Sequence, residues 1–165
     1  MSFDLYFVPR PSDGRWDGVM DQLESGAADG GELTSQDLGL WAQVVGAATA
    51  VIPDAEEIGG GGYRQLDDGV GIQVSLFPGE LSITTPYWYE GQDAERVVEK
   101  LRQVATAIES VTDLVAYDPQ ADAPFLGDGD TMAVASFDSA AVVLRDLGTS
   151  SPTRSAVPRW EFWRR

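Results

Sequence analysis

The chain has 165 residues, with 27 acidic against 11 basic side chains, a net charge of −16, and neither cysteine nor histidine. Those absences exclude disulfides, thiolate nucleophiles, Cys/His zinc sites, His-based catalytic triads and His-ligated haem. The acidic field repels nucleic acid phosphates and anionic lipid and favours basic partners. A chain of this length can bury roughly 70% of its unfolded surface, enough for one self-sufficient domain. Apolar residues make up 43% of it, which is normal for a globular protein.

No apolar run approaches the length of a membrane span, and the opening Met1-Ser2-Phe3-Asp4-Leu5 lacks a basic, then apolar, signal segment. The expectation is a soluble, cytoplasmic bacterial protein. Phe3, Leu5 and Phe7 alternate along a first strand, Phe3 to Val8, which Pro9 and Pro11 end. Ser12 reads as a helix N-cap, followed by Trp16, Val19, Met20 and Leu23 on one helical face, with Gly26 as the stop. A second helix is expected from Gln36 to Ile52, opened by a Thr34/Asp37 capping box, and Pro53 ends it. Asp54 to Gly62 is acidic and glycine-rich and reads as a surface loop.

Tyr63 to Leu66 suits a short strand. Val70, Ile72, Val74 and Leu76 then alternate, Phe77-Pro78-Gly79-Glu80 has the signature of a type II turn, and Leu81, Ile83 and Thr85 return. Val97, Val98, Leu101, Val104, Ala105 and Ile108 give a helical period over Asp93 to Val111. Leu114 to Tyr117 makes a last strand, closed by Asp118-Pro119, and a final helix capped by Ser136 would run to Gly148. This order predicts an α+β fold: a ferredoxin-like antiparallel sheet with helices on one face, first and third core strands central, plus an extra helix.

Residues 1–148 form that single domain in this reading, and 149–165 are a tail of different composition. The tail carries a net +3, leaving −19 on the rest, and ends Trp160-Glu161-Phe162-Trp163-Arg164-Arg165. Three aromatics in four residues suggest docking, on the chain's own acidic body or on a partner, with Trp160, Phe162 and Trp163 as anchors.

Gly59 to Gly62 is not a phosphate loop, since no Gly-Lys-Ser/Thr follows. Asp118, Asp122, Asp128 and Asp130 crowd one segment without the full calcium-loop pattern, so no metal and no cofactor is assigned. Asp4 and Asp118 would approach each other if the last strand lay antiparallel to the first, and such a pair could do acid–base work or hold Mg²⁺. Asp54, Glu56, Glu57, Asp67 and Asp68 form the most acidic surface candidate, with Tyr87 and Trp88 as aromatic anchors.

The opening Ser2-Phe3-Asp4-Leu5 and the step Tyr117-Asp118-Pro119-Gln120 together resemble a loose group of small bacterial proteins, common in actinobacteria. Some of that group look like immunity proteins encoded beside secreted polymorphic toxins. The resemblance implies kinship and carries over no catalytic residue; together with the acidic charge it gives the leading expectation, a non-enzymatic binding protein, most concretely an immunity protein that occludes a basic toxin domain. Two alternatives stay open: a carboxylate-based enzyme or small-ligand binder using Asp4 and Asp118, and a structural module that oligomerises through the tail.

Overall fold

The structure is a computed structural model that describes residues 2–26, 31–129, 133–137 and 139–140. The elements in chain order are β1 (Ser2–Pro9), α1 (Val19–Gly26), α2 (Ser35–Thr49), β2 (Glu56–Gly60), β3 (Tyr63–Asp67), β4 (Gln73–Phe77), β5 (Glu80–Pro86), α3 (Gln92–Val111), β6 (Leu114–Asp118) and β7 (Ala123–Pro124). Residues 133–137 and 139–140 are also helical. The strands form one sheet in the order β2-β3-β4-β5-β1-β6-β7, and every adjacent pair is antiparallel.

The fold is therefore α+β, with seven strands among the described residues where the sequence reading has a four-stranded core and one further short strand. β1 lies between β5 and β6, so β1 and β4 run parallel with β5 between them, joined by a connection that contains α2. β5 and β6 likewise run parallel with β1 between them, joined through α3. β2 and β3 extend the sheet beyond β4.

The main core follows from the period-two pattern of the strands. Phe3, Leu5 and Phe7 of β1, Val74 and Leu76 of β4, Leu81 and Ile83 of β5 and Ala116 of β6 point to one face, where α2 and α3 cover them. α3 contributes Ala94, Val97, Val98, Leu101, Val104, Ala105 and Ile108, all buried, at the spacing expected for one helical stripe. α2 contributes Trp41, Val44 and Ala48. The capping box that opens α2 is formed in full: Asp37 Oδ2 accepts from the Thr34 backbone N–H at 2.8 Å, and Thr34 Oγ1 accepts from the Asp37 N–H at 3.2 Å. Gly79, at φ +79°, takes the third position of the β4–β5 turn, as expected of Pro78-Gly79.

Helices on one face only is the expectation that fails. Tyr6 and Val8 of β1 and Tyr117 of β6 point away from α2 and α3, and α1 packs on them through Val19, Met20 and Leu23, with Trp16 just ahead of it. The Trp16 ring stacks on Tyr117 with centroids 5.8 Å apart and planes 12° from parallel. The first helix is also shorter than its pattern suggested. It begins at Val19, because residues 12–14 and 17–18 are turns and bends, held by bonds such as Gly14 N–H to Pro11 C=O, with irregular backbone between them.

Two more expectations change. Asp54 to Gly62 is not all loop: Glu56–Gly60 is an edge strand, every residue of it exposed. Its pairing with β3 confers that conformation, since Glu-Glu-Ile-Gly-Gly has little strand preference of its own. Helical backbone is already present at Ala133, so Ser136 lies inside that segment and is not its cap. The rest of the expected last helix, residues 141–148, and the tail with Trp160, Phe162 and Trp163 lie outside the described residues.

Among the described residues, the outer face of the sheet thus has a covered half, over β1 and β6, and an open half. Trp16→Ala removes the stack that joins α1 to the sheet and should lower unfolding free energy by about 2 kcal/mol. Urea denaturation checks this, and a loss within error of zero would mean that α1 is not anchored as described.

Candidate functional site

The register of the pairs arranges the open outer face in cross-strand rows. One row reads Glu56, Asp67, Gln73, Thr84, Asp4 across β2, β3, β4, β5 and β1. Next to it, Ile58, Gln65, Ser75 and Ser82 follow across β2 to β5. Beyond that, Tyr63, Phe77 and Glu80 share the turn end of β3, β4 and β5, where the Tyr63 and Phe77 rings stack at 6.1 Å.

Side-chain bonds run along the first row. Gln73 Nε2 donates to Asp67 Oδ2 at 2.9 Å, and Asp4 accepts from Thr84 Oγ1 at 2.8 Å and from Ser2 Oγ at 2.9 Å. Glu56 and Asp67 are direct cross-strand neighbours of like charge, a placement that raises local electrostatic energy unless a cation covers it. Ile58 is 47% exposed, Phe77 45% and Tyr63 37%. The face is therefore an acidic row beside an apolar patch.

Of the acidic candidates, Asp54 and Glu56 are exposed and available at the β2 edge. Glu57 is exposed yet engaged: it is paired with the buried Leu66, turns toward the helices, and its Oε1 accepts from the Trp41 indole N–H at 2.7 Å. That bond satisfies a polar group on an otherwise buried aromatic ring, so Glu57 positions α2 over the β2–β3 extension.

Asp68 organises the β3–β4 loop. Its Oδ1 accepts from the backbone N–H groups of Val70, Gly71 and Ile72 at 2.9, 2.8 and 2.9 Å. The loop is fixed from outside as well: Thr85 Oγ1 donates to the Gly71 carbonyl at 3.0 Å and Tyr89 Oη donates to the Val70 carbonyl. Gly71, at φ +138°, has no room for a side chain, because a Cβ there would come within 2.7 Å of Tyr89 Oη. Asp68 Oδ2 is buried without a partner, and burial pushes this carboxyl above the usual range against the pull of its three N–H donors.

Tyr87 and Trp88 part company. Tyr87 is buried at the edge of the core, edge-on to Phe3 at 6.2 Å and to Phe137 at 5.1 Å, so it is not a surface anchor. Trp88 is 49% exposed and lies edge-on to Tyr89.

Asp4 and Asp118 lie on neighbouring strands but on opposite faces, and both add to the burial that raises the Tyr87 hydroxyl's pKa. β1 and β6 are antiparallel neighbours, as expected, but the register that sets Tyr6 opposite Tyr117 sends Asp4 to the outer face and Asp118 to the helix face. Asp118 is 1% exposed, and its Oδ1 accepts from the N–H groups of Gln120 and Ala121 at 2.8 and 3.3 Å, closing the Asp-Pro turn. Burial raises its pKa, which those two bonds partly offset. Among the described residues no group of three or more acidic side chains is placed to hold a metal ion, and no helix is long and apolar enough to cross a membrane. Lys100 donates to the Val51 carbonyl at 3.3 Å, a bond that ties α3 to the end of α2.

The open half of the outer face was missed by sequence reading. Its signal was available in the residues that alternate with the core positions, Asp4, Gln73, Ser75 and Thr84, which are polar where Tyr6 and Val8 are apolar. No family model, curated protein or solved structure matches this chain.

A raised carboxyl pKa costs stability above the folded value and relieves that cost as pH falls toward the unfolded value near 3.8. Asp68→Asn keeps the acceptor Oδ1 and removes the charge. Its stability relative to wild type should be highest at neutral pH and decline toward pH 4, read from paired urea titrations. Asp68→Ala leaves three N–H groups without their acceptor and should cost about 2–3 kcal/mol at neutral pH, a deficit that grows toward pH 4 in step with the change seen for Asp68→Asn. A pH-independent difference for Asp68→Asn would contradict the buried, unpaired Oδ2.

Proposed function

We propose that this protein is a non-enzymatic binding protein whose open sheet face receives a basic protein partner. The observation that carries the reading is the outer face of β2 to β5. No described element covers it, and it joins Asp4, Glu56, Asp67 and Glu80 to the exposed Ile58, Tyr63 and Phe77. An apolar patch rimmed by one sign of charge suits a protein surface of the opposite sign: the charges speed encounter and the aromatic rings supply contact area. The resemblance to immunity proteins makes a toxin domain the concrete candidate, held by occlusion. The chain-wide charge of −16 supports steering toward such a domain.

The carboxylate-enzyme reading loses its motivating pair, since Asp4 and Asp118 point to opposite faces. We also read β4-β5-β1-β6 with α2 and α3 as a ferredoxin-like core carrying an added β2–β3 hairpin. The strand order and the two parallel, helix-containing crossovers support that reading.

The test is affinity capture from a lysate of the source organism with three baits: wild type, a charge variant (Glu56→Gln, Asp67→Asn, Glu80→Gln) and a control with Glu95→Gln and Glu99→Gln on α3. Wild type and control should hold one basic protein near stoichiometry, and the charge variant should lose most of it at about 150 mM salt, where exposed pairs are partly screened. Equal capture by all three baits would move the binding surface elsewhere. Capture of no basic protein by any bait would contradict the reading.

A further inference from the structure

We propose that the chain's own last residues, Arg159 to Arg165, dock on the open outer face of β2 to β4, with aromatic rings over Ile58, Tyr63 and Phe77 and arginines beside Glu56, Asp67 and Glu80. The inference stands apart from the proposed partner, because it concerns what covers the face in the free protein.

Three observations select this occupant. The first is chemical complementarity. The face offers three exposed apolar side chains bordered by carboxylates, and Arg159-Trp160-Glu161-Phe162-Trp163-Arg164-Arg165 offers three aromatics bordered by three arginines. Arginine suits this role because its planar fork bonds carboxylates while its face stacks on rings such as Tyr63 and Phe77.

The second is reach. Eighteen residues, 141–158, separate Ala140, the last described position, from Arg159. Extended, they span roughly 60 Å. A folded chain of this size has a radius of gyration of roughly 15 Å. The tail can therefore reach either face of the sheet, including the one opposite Phe137.

The third is charge and concentration. A second copy would bring −16 against −16 and set Glu56 and Asp67 against like charges, so self-association through this face is disfavoured. The tail carries +3 against −19 on the rest of the chain. A tethered segment also acts at an effective concentration in the millimolar range. A basic partner that uses this face must then displace the tail, which makes the tail an internal competitor that sets the affinity threshold for binding.

Photo-cross-linking of the full chain tests this. Tyr63→p-benzoylphenylalanine and, separately, Phe77→p-benzoylphenylalanine place the reactive group on the exposed patch without touching a buried residue. After irradiation and trypsin digestion, the expected product is a link to the peptide Trp160–Arg164, formed at the mass of one chain. Its yield should fall about two-fold or more in 1 M salt, or when Glu56, Asp67 and Glu80 are neutralised together. Links from both positions to other parts of the chain, no link at all, or the Trp160–Arg164 link only at the mass of two chains would each overturn the proposal. The readout requires no partner, so it can fail while the capture experiment succeeds, and the reverse.

Discussion

β1 is covered on both faces along its second half, and the rest of the architecture depends on that constraint. Phe3, Leu5 and Phe7 face α2 and α3, while Tyr6 and Val8 face α1. A strand with only one apolar face would leave α1 without a seat. A β1 apolar along its whole outer face would call for cover along its full length. Instead Ser2 and Asp4 interrupt the outer row, and α1 is eight residues long. The helix covers what is apolar and stops, and the remaining half of the face is left to β2 to β5.

That division gives the open face its chemistry. Its polar residues are not spare surface: Asp4 holds Thr84 and Ser2, and Asp67 holds Gln73, so the chain's own bonds order the row, which in the proposed binding role would precede any partner. Ordering in advance lowers the entropy lost on binding. The Asp68 loop serves the same end from the side. By gathering three N–H groups on one oxygen, it fixes the step from β3 to β4 and hence the register of the two strands that carry Tyr63 and Phe77.

Much of the fold was legible in the sequence because its signals were local. The Thr34/Asp37 box, the Pro78-Gly79 turn and the stripe from Val97 to Ile108 each need only near neighbours, and all three stand as expected. What escaped was set by pairing at a distance. Glu56 to Gly60 is a strand because β3 lies beside it, not because of its own residues. Trp41 required a hydrogen-bond partner, but that Glu57 supplies it from 16 residues away could not be read from either one. Asp4 and Asp118 were correctly expected on neighbouring antiparallel strands. One step of register separated that from the correct geometry, because a one-residue offset sends a side chain to the opposite face. The surface candidates fared by the same rule: Asp54, Glu56 and Asp67 sit at the open edge or on the open face, while Glu57, Asp68 and Tyr87 are committed to the fold.

The central claim is that, among the described residues, helices cover the sheet on both faces at β1 but on one face only at β2 to β4. Inter-proton contacts measured by NMR in solution test it most directly. The account predicts contacts from the Trp16 ring to Tyr117 and Val8, contacts from Phe3 and Leu5 to α3 and Phe137, and none from α1 to Ile58, Tyr63 or Phe77. Contacts from Trp16 to Leu5 or Phe7 would place α1 with the other helices, leave the whole outer face bare, and contradict the account.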